Sequence, residues 1–203
     1  ALVAADSWGI HTHGLKNLDG YLKRLNAGGI NPLGQPRVTA EGPAWARVDG
    51  DTSLGMIGST FAMQQAIRKA AASGIGFAGL CNSCHFGAAG CYASLAADEG
   101  MIGIAMCNDT PTVTVPGARG PVLGSNPIAY AVPAGEQLVL LDIATSTVAG
   151  GKVFSAAALG ESIPEGWIVD EQGRPATDPS TFPGNSTLTP MAVHKGYGLA
   201  LLV

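Results

Sequence analysis

Residues 79 to 90 read GLCNSCHFGAAG and crowd two thiols and an imidazole into one short run, Cys81-Asn82-Ser83-Cys84-His85. That order admits several chemistries. It matches the pattern for covalent haem attachment, and it suits a redox dithiol, half of a zinc site, or an acid–base histidine with incidental cysteines. A second polar stretch, IHTHGLKN, carries His11 and His13. In both stretches glycine lies close to a histidine, at His13-Gly14 and His85-Phe86-Gly87, which opens the ring to a substrate. An imidazole titrates near neutral pH, so both are candidates for proton transfer. His11 and Thr12 complete a helix start, or a weak His-x-His metal pair.

Each alternative asks for company that the chain must supply. Haem needs export, a distal ligand and an apolar pocket, yet no charged-then-apolar leader opens the sequence. A structural zinc needs a second ligand pair, and Cys91 and Cys107 are not spaced as one, so no metal is expected. A dithiol at Cys81 and Cys84 gains from the helix predicted just after it, but lacks the strand and aromatic context of a thioredoxin-like site. Gly74, Gly76 and Gly79 spell GxGxxG in the wrong setting. A dinucleotide fingerprint follows a strand and opens a helix, whereas these glycines follow a helix and open a strand. They read as a helix stop with close packing.

The elements that must position these residues follow from periodicity. The chain has 203 residues, 46% hydrophobic and 13% charged, with a net charge of −4. That is a globular chain, and with no basic run it gives nucleic acid nothing to bind. The uncharged stretch from Ala70 to Ala97 is too diluted by glycine and polar residues for a membrane span. Reduced thiols and no leader make a cytoplasmic location the expectation.

Ser59-Thr60 precede FAMQQAIRKAAAS, apolar at helical spacing, with Gly74 as its left-handed stop. IGFAGL then reads as a buried strand, AAGCYASLAADE as a helix stopped by Gly100, MIGIAMC as a second buried strand, and QLVLLDIAT as a third strand candidate. Such alternation indicates the α/β class. The proline-rich segments 31–43 and 161–190 read as loops, the longer one as a lid or an arm. HKGYGLALLV opens an apolar helix that stops part-way.

Several segments in order resemble one known family. They are THGLKNLDGYLKRLNAGGI, NSCHFGAAGCYASLAADEGMIGIAMCND, LGSNPIAYAVP, LDIATSTVAGGKV, GWIVDEQGRPATDP and HKGYGLALLV. Together they look like the malate/lactate dehydrogenase family of the non-Rossmann type, with its ureidoglycolate, sulfolactate and diketogulonate relatives. The resemblance implies an α/β fold with a mixed sheet and flanking helices, an intertwined homodimer, and a nicotinamide cofactor, NAD with NADP as the alternative. It implies reversible oxidation of a 2-hydroxy acid to its 2-oxo acid. It also makes Cys84 one filling of a variable position before the histidine, so that CxxCH is coincidence.

Carried over by position, His85 is the main acid/base and His13 the second catalytic or substrate-orienting histidine. Asp109, Asp142, Ile143, Ala144, Lys195 and Gly196 face the cofactor. Relatives commonly have an arginine for the substrate carboxylate where this chain has Asn17, so Asn17 marks the substrate site and Lys16 or Arg119 is expected to supply the charge. Family chains run longer, so this one is expected to lack a C-terminal part. The implied division is an N-terminal helical segment over 1–45, a cofactor-binding α/β region over 46–180, and the start of a return to the first domain over 181–203. The alternative reading is a thiol–disulfide protein using Cys81 and Cys84.

Overall fold

The computed structural model describes residues 1–203. They form two compact units, Ala1–Ala105 with Ala129–Leu141, and Met106–Ile128 with Asp142–Val203. The divisions at 45 and 180 implied by the resemblance describe roles in a longer chain and stay a proposal.

In the first unit α1 (Leu2–Ser7) leads through short 3-10 turns at His11–His13 and Leu15–Asn17 into α2 (Leu18–Asn26). A three-stranded sheet follows, ordered β1 (Arg37–Glu41), β2 (Trp45–Asp49), β3 (Phe77–Cys81). β1 pairs antiparallel with β2, and β2 parallel with β3, so the sheet is mixed. A parallel pair needs a crossover, and α3 (Gly55–Ser73) supplies it. Segment 31–43, expected to be a loop, therefore contains a strand. Pro36 stands just before β1, where no ladder bond is lost.

Helix α3 begins four residues before the start predicted at Ser59-Thr60, after the extended residue Leu54. Gly55 fixes that start. A Cβ there would lie 2.2 Å from the carbonyl oxygen of Cys84, so only glycine lets the helix end press against the His85 loop. At the other end Gly74 takes φ +82° and caps the helix as predicted. A Cβ on Gly76 would stand 1.9 Å from the Ala66 carbonyl oxygen. Two of the three GxGxxG glycines thus serve as helix stop and close contact.

A second sheet, ordered β4 (Gly103–Met106), β5 (Ile128–Ala134), β6 (Gln137–Ile143), lies mostly in this unit. One face packs against α4 (Gly90–Asp98) through Ala89, Ala93 and Ala97 against Ala129 and Ala131. Small residues bring helix and strand close, and Gly103 has no room for a Cβ beneath Ala93. The other face is open. Ile104 is 57% exposed, and Val139 alternates outward from Leu138 and Leu140. The prediction that IGFAGL and MIGIAMC are buried strands is thereby corrected: β3 and β4 are edge strands, and Phe77 is 65% exposed.

The second unit contains α5 (Gly150–Leu159), a small antiparallel sheet ordered β8 (Pro175–Ala176), β7 (Ile168–Asp170), β9 (Ser186–Leu188), and α6 (His194–Leu202). Its core joins Val113, Val153, Ile163, Ile168, Phe182 and Leu188. Each such aliphatic side chain contributes about 1.5–3 kcal/mol by leaving water. Segment 161–190 is therefore a sheet built around a core, not a lid. Its prolines sit at β8, on an edge, and in the connections. The apolar helix foreseen in HKGYGLALLV is α6. No helix is long and apolar enough to cross a membrane.

Candidate active site

The first unit brings both predicted histidines together. His13 ends the first 3-10 turn, and His85 sits in the loop between β3 and α4. Their rings stack with centroids 5.7 Å apart and planes 18° from parallel. The hydroxyl of Tyr21, on α2, lies 2.6 Å from His85 Nδ1. The Thr12 hydroxyl lies 2.9 Å from His13 Nδ1. Each imidazole thus has one nitrogen tied to a hydroxyl. Asn17 belongs to the same turn system, but its amide donates to the Thr12 carbonyl at 2.9 Å.

Tyr21 was not anticipated. It is 6% exposed on a helix whose other residues face mostly outward. Burial, followed by the neighbouring Cys84, pushes its phenol up to about 12. The signal was present as a lone buried-type aromatic one helical turn beyond Asn17, but α2 carried no expectation of its own.

The loop bearing His85 is held from below. The Gly55 backbone N–H donates to Cys84 Sγ at 3.3 Å, and Cys84 Sγ lies 3.7 Å from the Ser53 carbonyl. Asn82 and Gly87 turn the chain with φ +50° and +78°. The Tyr92 hydroxyl donates to the Phe86 carbonyl, and the two rings stack at 5.0 Å. Cys81 donates instead to the Val48 carbonyl at 3.4 Å. All four cysteines are free. The two thiols of the CxxC thus serve separate backbone groups, and the thiol–disulfide reading gains no support. No group of histidine, cysteine and carboxylate side chains is arranged to hold a metal.

The second unit gathers residues predicted to face a cofactor. The Asn126 side chain, 5% exposed, accepts from the Asp109 N–H at 3.0 Å and donates to the Ala200 carbonyl at 2.8 Å. The Ser125 hydroxyl donates to the Asp109 carboxylate at 2.9 Å. Asp142, Ile143 and Ala144 lead from β6 into the buried Thr145, whose hydroxyl and N–H both donate to the Ser125 carbonyl. The Gly196 N–H donates to Met191 at 2.7 Å, and a Cβ on Gly196 would meet the Thr145 carbonyl oxygen at 2.2 Å. Asp109 and Gly196 are therefore tied into one framework through Ser125, Asn126 and Thr145. Lys195 stands exposed in the first turn of α6, and Arg119 is exposed on a turn closed by Ala118 N–H to Val115. The φ of +30° at Asn126 and its two-sided bonding explain the residue choice there.

A nicotinamide dinucleotide asks for a cation and helix-end N–H groups toward its pyrophosphate, and for polar acceptors toward its riboses. Exposed Lys195 at the start of α6 and the exposed Asp109 carboxylate fit that demand.

Comparison with known proteins makes the family specific. The chain belongs to the malate/L-lactate dehydrogenase family, which matches residues 1–203. It is 42% identical to a malate dehydrogenase of Pyrococcus horikoshii, over all of this chain and 58% of that protein. It is 36% identical to the NAD(+) ureidoglycolate dehydrogenase of Escherichia coli K12, over all of this chain and 57% of that one. Among solved structures, malate dehydrogenase of Entamoeba histolytica superposes with a TM-score of 0.94 at 34% identity, covering 99% of this chain and 60% of that one. Sulfolactate dehydrogenase of Methanocaldococcus jannaschii gives 0.90 at 39% identity, covering all of this chain and 58% of that one. The chain thus spans somewhat over half the length of the relatives it matches.

Proposed function

We propose that the complete protein is a nicotinamide-dependent 2-hydroxy-acid dehydrogenase in which His85 is the acid/base and His13 its partner at the substrate. The stacked His13–His85 pair with Tyr21 on Nδ1 carries this reading. When bound, the nicotinamide supplies or accepts the hydride at the substrate's C2.

The phenol of Tyr21 remains protonated well past neutral pH, because burial disfavours its anion. Its oxygen accepts from Nδ1–H, so the neutral imidazole carries its proton on Nδ1 and keeps the lone pair on Nε2. The imidazolium gives its Nε2 proton to the alkoxide formed from a 2-oxo acid, and the neutral ring takes it back on Nε2 in the oxidation. General acid–base catalysis of this kind is worth about 10²–10⁴-fold. The substrate carboxylate is gripped by Lys16 or Arg119, because Asn17 is neutral and its amide is turned to Thr12. Asp109, Asp142, Ile143, Ala144, Lys195 and Gly196 face the dinucleotide, with NAD as the first choice and NADP the alternative.

A homodimer suits the exposed apolar residues Val3, Trp8, Leu15, Leu18 and Leu22 of the N-terminal helices. Four free cysteines suit a reducing compartment such as the cytoplasm. Candidate substrates take the chemistry named by the relatives: malate, sulfolactate, lactate and ureidoglycolate. The test is oxidation of each by the complete polypeptide with NAD and with NADP, followed by nicotinamide absorbance. Reduction of either cofactor by one of these acids supports the proposal; silence across the panel would overturn it.

A further inference from the structure

The turn that carries His13 is built around a side chain with no part in the chemistry so far. Asp6, at the end of α1, accepts the Leu15 backbone N–H on Oδ2 at 2.8 Å. Its Oδ1 lies 3.2 Å from His11 Nδ1. Gly14, buried and extended between the two 3-10 turns, lies directly on this carboxylate: a Cβ there would stand 1.8 Å from Oδ1. One carboxylate therefore contacts residues on both sides of His13, and Gly14 is the residue that lets it approach. The Leu15 N–H, then the His11 ring, hold Asp6 below the usual carboxylate range, so the contact is made by the anion.

We infer that Asp6 is a positioning residue of the dehydrogenase site, setting the place of His13 against His85 by clamping the turn from His11 to Asn17. The inference rests on the proposed function for its kinetic part alone. His13 reaches its stacking partner from a turn only three residues long, with no regular ladder to fix it. Its backbone is fixed by the Ile10 carbonyl, which accepts the His13 N–H at 3.0 Å, and beyond it by the Asp6 clamp. Misplacement of a reacting group by about 1 Å costs about 10²-fold in rate.

The experiment compares Asp6→Ala, Asp6→Asn and His11→Gln in the complete polypeptide, each checked for native circular dichroism. Two readouts are taken: the imidazole NMR shifts of His13 and His85, which need no turnover, and kcat beside KM for the reduced nicotinamide. Asp6→Ala is expected to move the His13 ring resonances and lower kcat by about 10²-fold, with nicotinamide KM unchanged. Asp6→Asn keeps an oxygen acceptor for Leu15 and is expected to recover most of both. His11→Gln removes only the weaker contact and is expected to change little. Unmoved His13 resonances in folded Asp6→Ala would overturn the inference. So would a kcat loss that Asp6→Asn fails to recover, or one matched by an equal loss of nicotinamide affinity. If the wild-type protein turns over no 2-hydroxy acid, the proposed function fails while the NMR comparison still decides the role of Asp6.

Discussion

The Tyr21 hydroxyl lies 2.6 Å from His85 Nδ1, joining a residue of α2 to one in the loop after β3 across 64 positions of sequence. That bond ties down Nδ1 and orients the ring that stacks on His13. Tyr21→Phe keeps the buried ring and removes only the bond. The expected result is a stability loss of about 1 kcal/mol with a larger effect on kcat than on nicotinamide KM. Equilibrium denaturation and steady-state kinetics measure the two.

The same phenol predicts an alkaline limit. Its folded value of about 12 lies above the ordinary tyrosine value of about 10. The folded state therefore holds this proton more tightly than the unfolded chain does. Its contribution to stability is complete below about pH 10 and is lost as pH rises toward 12. Phenolate absorbance is expected to show a late-titrating component that Tyr21→Phe removes.

In the second unit Gly196 is the tightest point. A Cβ would meet the Thr145 carbonyl oxygen at 2.2 Å and the Met191 backbone at 2.5 Å. Gly196→Ala must move α6 away from Thr145, at a cost of about 1–3 kcal/mol. The denaturation midpoint should fall, and reduced-nicotinamide affinity, read by fluorescence titration, should fall with it. Unchanged affinity would remove this framework from the cofactor's neighbourhood.

Carboxylate recognition separates two cations. Losing a charge-assisted bond of about 1.5 kcal/mol raises KM for the 2-oxo acid roughly tenfold. Either Arg119→Gln or Lys16→Gln is expected to do so with little change in kcat. If neither does, the grip comes from another group.

Much of this was legible in the sequence because local rules set it. Helical spacing located α3 and α4, and Gly74 and Gly100 stopped them with φ values open to glycine. His13 and His85, whose rings stack in the fold, stood out from the adjacent glycines and the family resemblance. What escaped depended on tertiary contact. The start of α3 follows the fit of Gly55 under Cys84, and four residues of sequence carry no trace of that. The exposure of Phe77 and Ile104 follows from β3 and β4 being edge strands, and an apolar run looks the same on either side of a sheet. The sheet within 161–190 was hidden by prolines, which its edge strand β8 and its turns accommodate. Tyr21, Asn126 and Asp6 act through partners that no spacing rule connects.

The proposed function turns on His85 moving the proton when a 2-hydroxy acid and its 2-oxo acid interconvert. The direct measurement is nicotinamide-linked turnover by the complete polypeptide and its His85→Gln variant, on whichever acid of the panel reacts fastest. The expected result is a loss of about 10²–10⁴-fold in kcat with reduced-nicotinamide binding retained. A His85→Gln enzyme that turns over at the wild-type rate would contradict it.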